Sequence, residues 1–279
     1  MRWWMSVVFC VLSWSVTWAT CDWSRSGEVQ KCAVTVNGQE RTFLLVVPRN
    51  FSGPLVLAFH PSRAQGWLMS DRWTRKANAE GFAAIYPNAI PNARNVVAWV
   101  VERDIPFVEA LLEQARKNLP SLDPRRIYAM GFSNGAWLAE MIGQRMPEFA
   151  AIADVSAVTS IDAWKAPPAA RPSVIIFQGE MEEIAPICGL RGRDDEVASR
   201  EMILQYWRNA LDCKPIPTVC KGRQQTSVTR IEAQCAGGKE LRFYKIEGGR
   251  HRFPAFPVPP LNEPMTDSIW MFFKSHPKP

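Results

Sequence analysis

Ser133 stands between two glycines in Gly131-Phe132-Ser133-Asn134-Gly135, directly after an apolar run and directly before a helical pattern. A sharp turn from strand to helix needs small residues on both sides of the serine, because the two backbones approach closely there. Such a turn presents the hydroxyl at the carboxyl end of a strand, where helix amides favour developing negative charge. The chemistry that fits is nucleophilic attack by Ser133. A neutral hydroxyl needs a base, and histidine is the usual choice near neutral pH. The chain holds three histidines. His276 falls in Lys274-Ser275-His276-Pro277, expected to be an exposed, mobile tail, and His60 ends an early strand ahead of the serine. His251 follows a late strand in Gly248-Gly249-Arg250-His251, which suits the chain order serine, acid, histidine, so His251 is the expected base.

The acid that orients the histidine belongs between the two, after a strand. Glu180, Glu182 and Glu183 follow the apolar run 173–177, and Asp154 ends the preceding strand; spacing alone leaves these four open. Acyl transfer also needs donors for an oxyanion. The backbone N–H of Asn134, next after the serine, is one. The other is expected from the loop after the run 55–59, where Pro61 has no N–H and Ser62 is the first residue that does. Trp99, Trp137 and Phe253 are candidates for the wall of a substrate cleft, although with twelve tryptophans in the chain core packing is the better account of each.

The elements that must position these residues alternate short apolar runs with amphipathic ones. Strands are expected at 42–47, 55–59, 82–86, 126–130, 152–155, 173–177 and 241–246, and helices at 104–118, 134–145, 195–210 and 265–273. Pro106 is expected in the first turn of its helix, where a missing N–H costs little. Apolar strands interleaved with helices indicate an α/β fold with a mostly parallel central sheet covered on both faces.

Residues 1–19 read as a signal peptide: Arg2, an uncharged apolar run, then Thr17-Trp18-Ala19 as a cleavage site. Residues 20–279 are then one α/β domain, secreted or periplasmic, with no stable membrane insertion after cleavage. Six cysteines follow the signal, and an even number in an oxidising compartment suggests three disulfides, with Cys21–Cys32 and Cys213–Cys235 the first pairings expected. The stretch of about 188–235 reads as a cysteine-rich excursion beside the sheet. No CxxC pair and few histidines argue against a metal, and no cofactor is called for. Of 279 residues 22% are charged, with a formal net charge of +6, but the basic residues are scattered among acids rather than gathered on a patch, so no nucleic-acid partner is expected.

These motifs resemble the secreted polyhydroxybutyrate depolymerase and feruloyl esterase group of the α/β-hydrolase superfamily. The likeness runs from about Thr42 to about Pro254 and rests on Val47-Pro48, Tyr86-Pro87-Asn88, Asp123-Pro124-Arg125-Arg126-Ile127-Tyr128, the segment around Ser133, and Gly248-Gly249-Arg250-His251. It implies an α/β-hydrolase fold and metal-free hydrolysis of carboxylic esters, small or polymeric: polyhydroxyalkanoate-type, feruloyl or acetyl. It also implies that Glu182 takes the place of the group's aspartate, in Gln178-Gly179-Glu180-Met181-Glu182. The group's His-Gly in the oxyanion loop is here His60-Pro61, and its tryptophan after the histidine is replaced by Phe253. A binding protein without catalysis, or a serine peptidase of the same fold, are the other readings.

Overall fold

The computed structural model describes residues 21–190, 197–254 and 257–279. The expected signal peptide at 1–19 lies outside them.

The chain begins with an antiparallel pair, β1 (Gln30–Val36) and β2 (Gln39–Val46), followed by β3 (Leu55–Phe59), helix α1 (Trp67–Glu80) and β4 (Ala83–Pro87). Helix α2 (Val101–Asn118), β5 (Ile127–Phe132), α3 (Asn134–Arg145), β6 (Ala151–Val155), β7 (Ser173–Gly179) and α4 (Arg200–Ala210) come next. The two-residue strands β8 (Cys220–Lys221) and β9 (Gln224–Gln225) form a small separate ribbon. The chain closes with β10 (Arg230–Gln234), β11 (Glu240–Ile246) and α5 (Met265–Ser275).

Nine described strands form one sheet in the order β1-β2-β4-β3-β5-β6-β7-β11-β10. From β4 to β11 neighbours are parallel, while β1 and β2 on one side and β10 on the other are antiparallel. The parallel strands β3, β4, β6 and β7 are buried at every residue, since helices lie on both faces. The edge strand β10 alternates buried and exposed because one of its faces meets water. The core accordingly has two halves. One joins Leu57, Ile85 and Ile176 to residues of α2, α3 and α4, such as Phe107, Leu138 and Trp207. The other joins Val56, Tyr128 and Phe177 to residues of α1 and α5, such as Trp73 and Trp270.

Helix α1 and strands β1 and β10 are not among the expected elements. In α1 the apolar side chains that face the sheet, Met69, Trp73 and Ala77, form a narrow stripe within a charged sequence. Helix α2 starts three residues earlier than expected, so Pro106 is inside the helix rather than in its first turn. Asp104 accounts for the early start: its carboxylate accepts from the Val100 N–H at 2.7 Å and is neutralised by Arg41 at 2.8 Å, both side chains buried. The helix expected from 195 starts at Arg200, capped by the Ser199 hydroxyl; residues 195 and 196 lie outside the described ones.

The disulfides are Cys21–Cys32, Cys188–Cys220 and Cys213–Cys235. The first ties the entering chain to β1, and the others staple the segment between β7 and β11. No described helix is long and apolar enough to cross a membrane.

Candidate active site

Ser133 joins β5 to α3 with φ 56° and ψ −121°, a backbone conformation costly for a residue with a Cβ. The two glycines make it sterically feasible. A Cβ on Gly131 would strike the backbone of Gly135, and one on Gly135 would strike the carbonyls of Phe59 and His60. Neighbouring β6 anchors the turn, its Val155 carbonyl accepting from the Ser133 N–H at 2.9 Å.

His251 follows β11 and brings Nε2 to 2.8 Å from Ser133 Oγ. Its Nδ1 is hydrogen-bonded to Glu182 Oε1, and that carboxylate side chain is fully buried. The Phe132 ring lies 5.1 Å from the imidazole, centroid to centroid. Serine, imidazole and carboxylate therefore form one continuous hydrogen-bonded line, drawn from the carboxyl ends of β5, β11 and β7.

The other three carboxylates are spent elsewhere. Glu180 accepts from the Gly248 N–H at 3.0 Å, and Glu183 pairs with Arg250. Asp154, fully buried, accepts from Arg200 Nη1 at 2.7 Å and from the Ala157 N–H at 2.7 Å. Beside it lies Glu140 of α3, whose carboxyl is raised well above the ordinary range by burial and then by the Asp154 charge. Arg200 also donates to the Ala157 carbonyl. Sequence reasoning missed this buried cluster; its signal was an aspartate in the all-apolar surroundings of Ile152-Ala153-Asp154-Val155, which demands a cation.

The remaining histidines have structural partners. His60 Nδ1–H donates to the Pro61 carbonyl at 2.7 Å, and Nε2 accepts from the Ala89 N–H at 3.0 Å. Burial pulls its pKa down to about 4, so the ring is neutral. His276 is not in an exposed tail as expected. It is buried, 3.2 Å from Glu240 and 2.8 Å from the Phe272 carbonyl, because the chain end folds back on the sheet.

At the start of α3 the Asn134 side chain brackets the Trp99 backbone, accepting from its N–H at 2.6 Å and donating to its carbonyl at 3.4 Å. Trp99 is a correction to the expected cleft wall. Its indole is buried, edge-on to Phe59, and donates to the His60 carbonyl at 2.8 Å, so it holds the loop after β3 from behind. Trp137, one turn into α3, is half-buried against the larger half of the core. Phe253 is buried and meets Phe132 edge-on at 6.2 Å; one face carries the Arg72 guanidinium 5.0 Å away. It borders a cavity of about 480 Å³ shared with Ser156, Gln178, Gly249, Arg252 and Met265. Ser62 lies in an exposed turn after β3, next to Arg63, whose N–H bonds the Val97 carbonyl at 2.8 Å.

No protein-family model matches the chain. It is 23% identical over 234 residues to feruloyl esterase B of Piromyces equi, covering 76% of this chain and 42% of that protein, so it spans less than half the length of the curated relative it matches. Among solved structures it superposes on an acetyl xylan esterase from Aspergillus awamori with TM-score 0.60 and 15% identity, covering 89% of this chain and 99% of that one. Esterase PE8 gives TM-score 0.57 and 16% identity, covering 83% and 97%. The chain has the α/β-hydrolase fold, and its likeness in sequence and fold is to esterases.

Proposed function

We propose that the protein is a secreted serine hydrolase of carboxylic esters. The observation that carries this reading is the line from Ser133 Oγ through His251 to buried Glu182, set on a strained strand-to-helix turn. In the proposed cycle His251 Nε2 takes the Ser133 proton as Oγ adds to the ester carbonyl. Glu182, bonded to Nδ1, keeps the imidazole in the tautomer that accepts at Nε2 and stabilises the imidazolium. The oxyanion bonds to the backbone N–H groups of Asn134 and Ser62. Collapse expels the alcohol, which receives the proton from His251, and leaves an acyl-Ser133. Water, deprotonated by the same imidazole, then releases the acid and restores the serine.

The likeness to a feruloyl esterase and an acetyl xylan esterase supports an ester over an amide. Three disulfides support export to an oxidising compartment. The test is hydrolysis of p-nitrophenyl esters of graded acyl length by the purified protein and by Ser133→Ala. We expect turnover that drops by at least about 10⁴-fold in the variant. Equal rates in the two proteins, or none across the series, would reject the reading; cleavage of the matching anilides at comparable rates would replace esterase with peptidase.

A further inference from the structure

The loop after β3 leaves the candidate site at His60 and ends at Trp67, whose side chain is 53% exposed. A large aromatic side chain in solvent on a firmly held backbone is a feature of binding surfaces. Here the backbone is firmly held. Asn88 Oδ1 accepts from the Gly66 N–H at 2.7 Å, and Asn88 Nδ2 donates to Thr42 Oγ1 at 2.9 Å. A Cβ on Gly66 would strike the Tyr86 carbonyl, so α1 begins in direct contact with β4.

Beside the indole runs the β1–β2 pair, where Cys32 and Phe43 point into the larger half of the core and Lys31, Ala33, Thr42 and Leu44 lie on the opposite face, Leu44 partly buried against the smaller half. With Trp67 and Gln65 these residues line a groove of about 520 Å³. The groove opens at the same edge of the sheet as Ser133, since Phe43 pairs with Pro87 at the carboxyl end of β4. In the strand order β2 is three places from β5, about 14 Å at the usual strand spacing.

We propose that this groove is a second binding site, for the sugar rings of a polysaccharide that carries the ester cleaved at Ser133; the inference rests on the ester-hydrolase reading and names its substrate class. A pyranose has an apolar C–H face and a rim of hydroxyls. The C–H face stacks on the electron-rich face of the Trp67 indole. Hydroxyls on the rim bond to Lys31 Nζ, the Gln65 amide and the Thr42 hydroxyl, with Ala33 and Leu44 as an apolar floor. A polyester chain has no donors for the Gln65 carbonyl and would be better served by an all-apolar groove. The separation from Ser133 lets one polymer occupy both places at once, and the second contact raises affinity without touching the chemistry.

Binding is tested apart from hydrolysis by running Ser133→Ala and Ser133→Ala/Trp67→Ala in native gels cast with soluble xylan. We expect retardation of the first, its loss in the second, and partial recovery with Trp67→Tyr in place of alanine. Equal retardation of both proteins, or of neither, overturns the inference, as does Trp67-dependent retention on polyhydroxybutyrate granules with none on xylan. Neither protein needs to hydrolyse anything, so Trp67-dependent retardation would stand even if the esterase reading failed. In otherwise unchanged protein, Trp67→Ala should leave kcat/KM for p-nitrophenyl acetate within about twofold while raising KM for acetylated xylan about tenfold. An equal loss on both substrates would also overturn it.

Discussion

His60 and His251 are both near Ser133 in the fold, and what separates them is how their ring nitrogens are used. His60 spends one on the Pro61 carbonyl and the other on the Ala89 N–H. His251 has one nitrogen on Glu182 and the other on the serine hydroxyl. The burial that makes His60 a poor base also makes it a pH sensor of stability. Unfolded, its imidazole titrates near 6.5; folded, near 4. Between those values the unfolded chain binds the extra proton, so stability is intact above about pH 6.5 and falls as pH drops toward 4. The full loss is about 3 kcal/mol. Urea unfolding of the protein and of His60→Asn at pH 7 and pH 4.5 checks this: the difference in stability between the two proteins should shrink at the lower pH, and parallel curves would remove His60 from the acid response. In the proposed mechanism a glutamate takes the place of the usual aspartate, and the side chain of Glu182 is fully buried against the imidazole.

At the scale of elements, the sequence reading succeeded where an element's environment is uniform. Strand β3 and helix α3 have the expected bounds, because a strand buried on both faces is a bare apolar run and α3 is opened by a serine between glycines. Helix α1 escaped because its contact with the sheet is one narrow stripe, and β1 and β10 because an edge strand needs only a few apolar residues. Spacing left four carboxylates open as the acid, and only the tertiary arrangement distinguishes them. Asp154 lies on the face of β6 that carries Ile152, where α3 and α4 pack, and pairs there with Arg200. That pair joins α4 to β6, next to the Val155 carbonyl that holds Ser133. Arg200→Leu leaves a buried carboxylate without its cation and is expected to cost about 3–5 kcal/mol in chemical denaturation. Arg200→Leu combined with Asp154→Asn should recover part of that loss, since the orphaned charge is gone; no recovery would mean that Arg200 acts through packing alone.

At the scale of the whole molecule, the sheet's carboxyl edge gathers the residues of the proposed mechanism. Strands β5, β7 and β11 lead into Ser133, Glu182 and His251, β3 leads into the loop of His60 and Ser62, and β4 with the β1–β2 pair extends the edge to Trp67. Parallel order across six strands makes this possible, because every central strand ends on the same side. Much of that placement was legible in the sequence: Ser133 at a strand-to-helix turn from its glycines, His251 beyond the last central strand from its position in the chain. The role of Trp99 was not, since composition does not tell whether an indole near the site faces the substrate or the core. The central claim is that Ser133 is the activated nucleophile. It is tested most directly by reaction with diethyl p-nitrophenyl phosphate followed by peptide mass mapping. The account predicts one diethylphosphoryl group per chain, on the peptide bearing Ser133, with one p-nitrophenolate released, no labelling of Ser133→Ala and slow labelling of His251→Ala. Label on another residue, or a Ser133 that reacts no faster than a free serine, would contradict it.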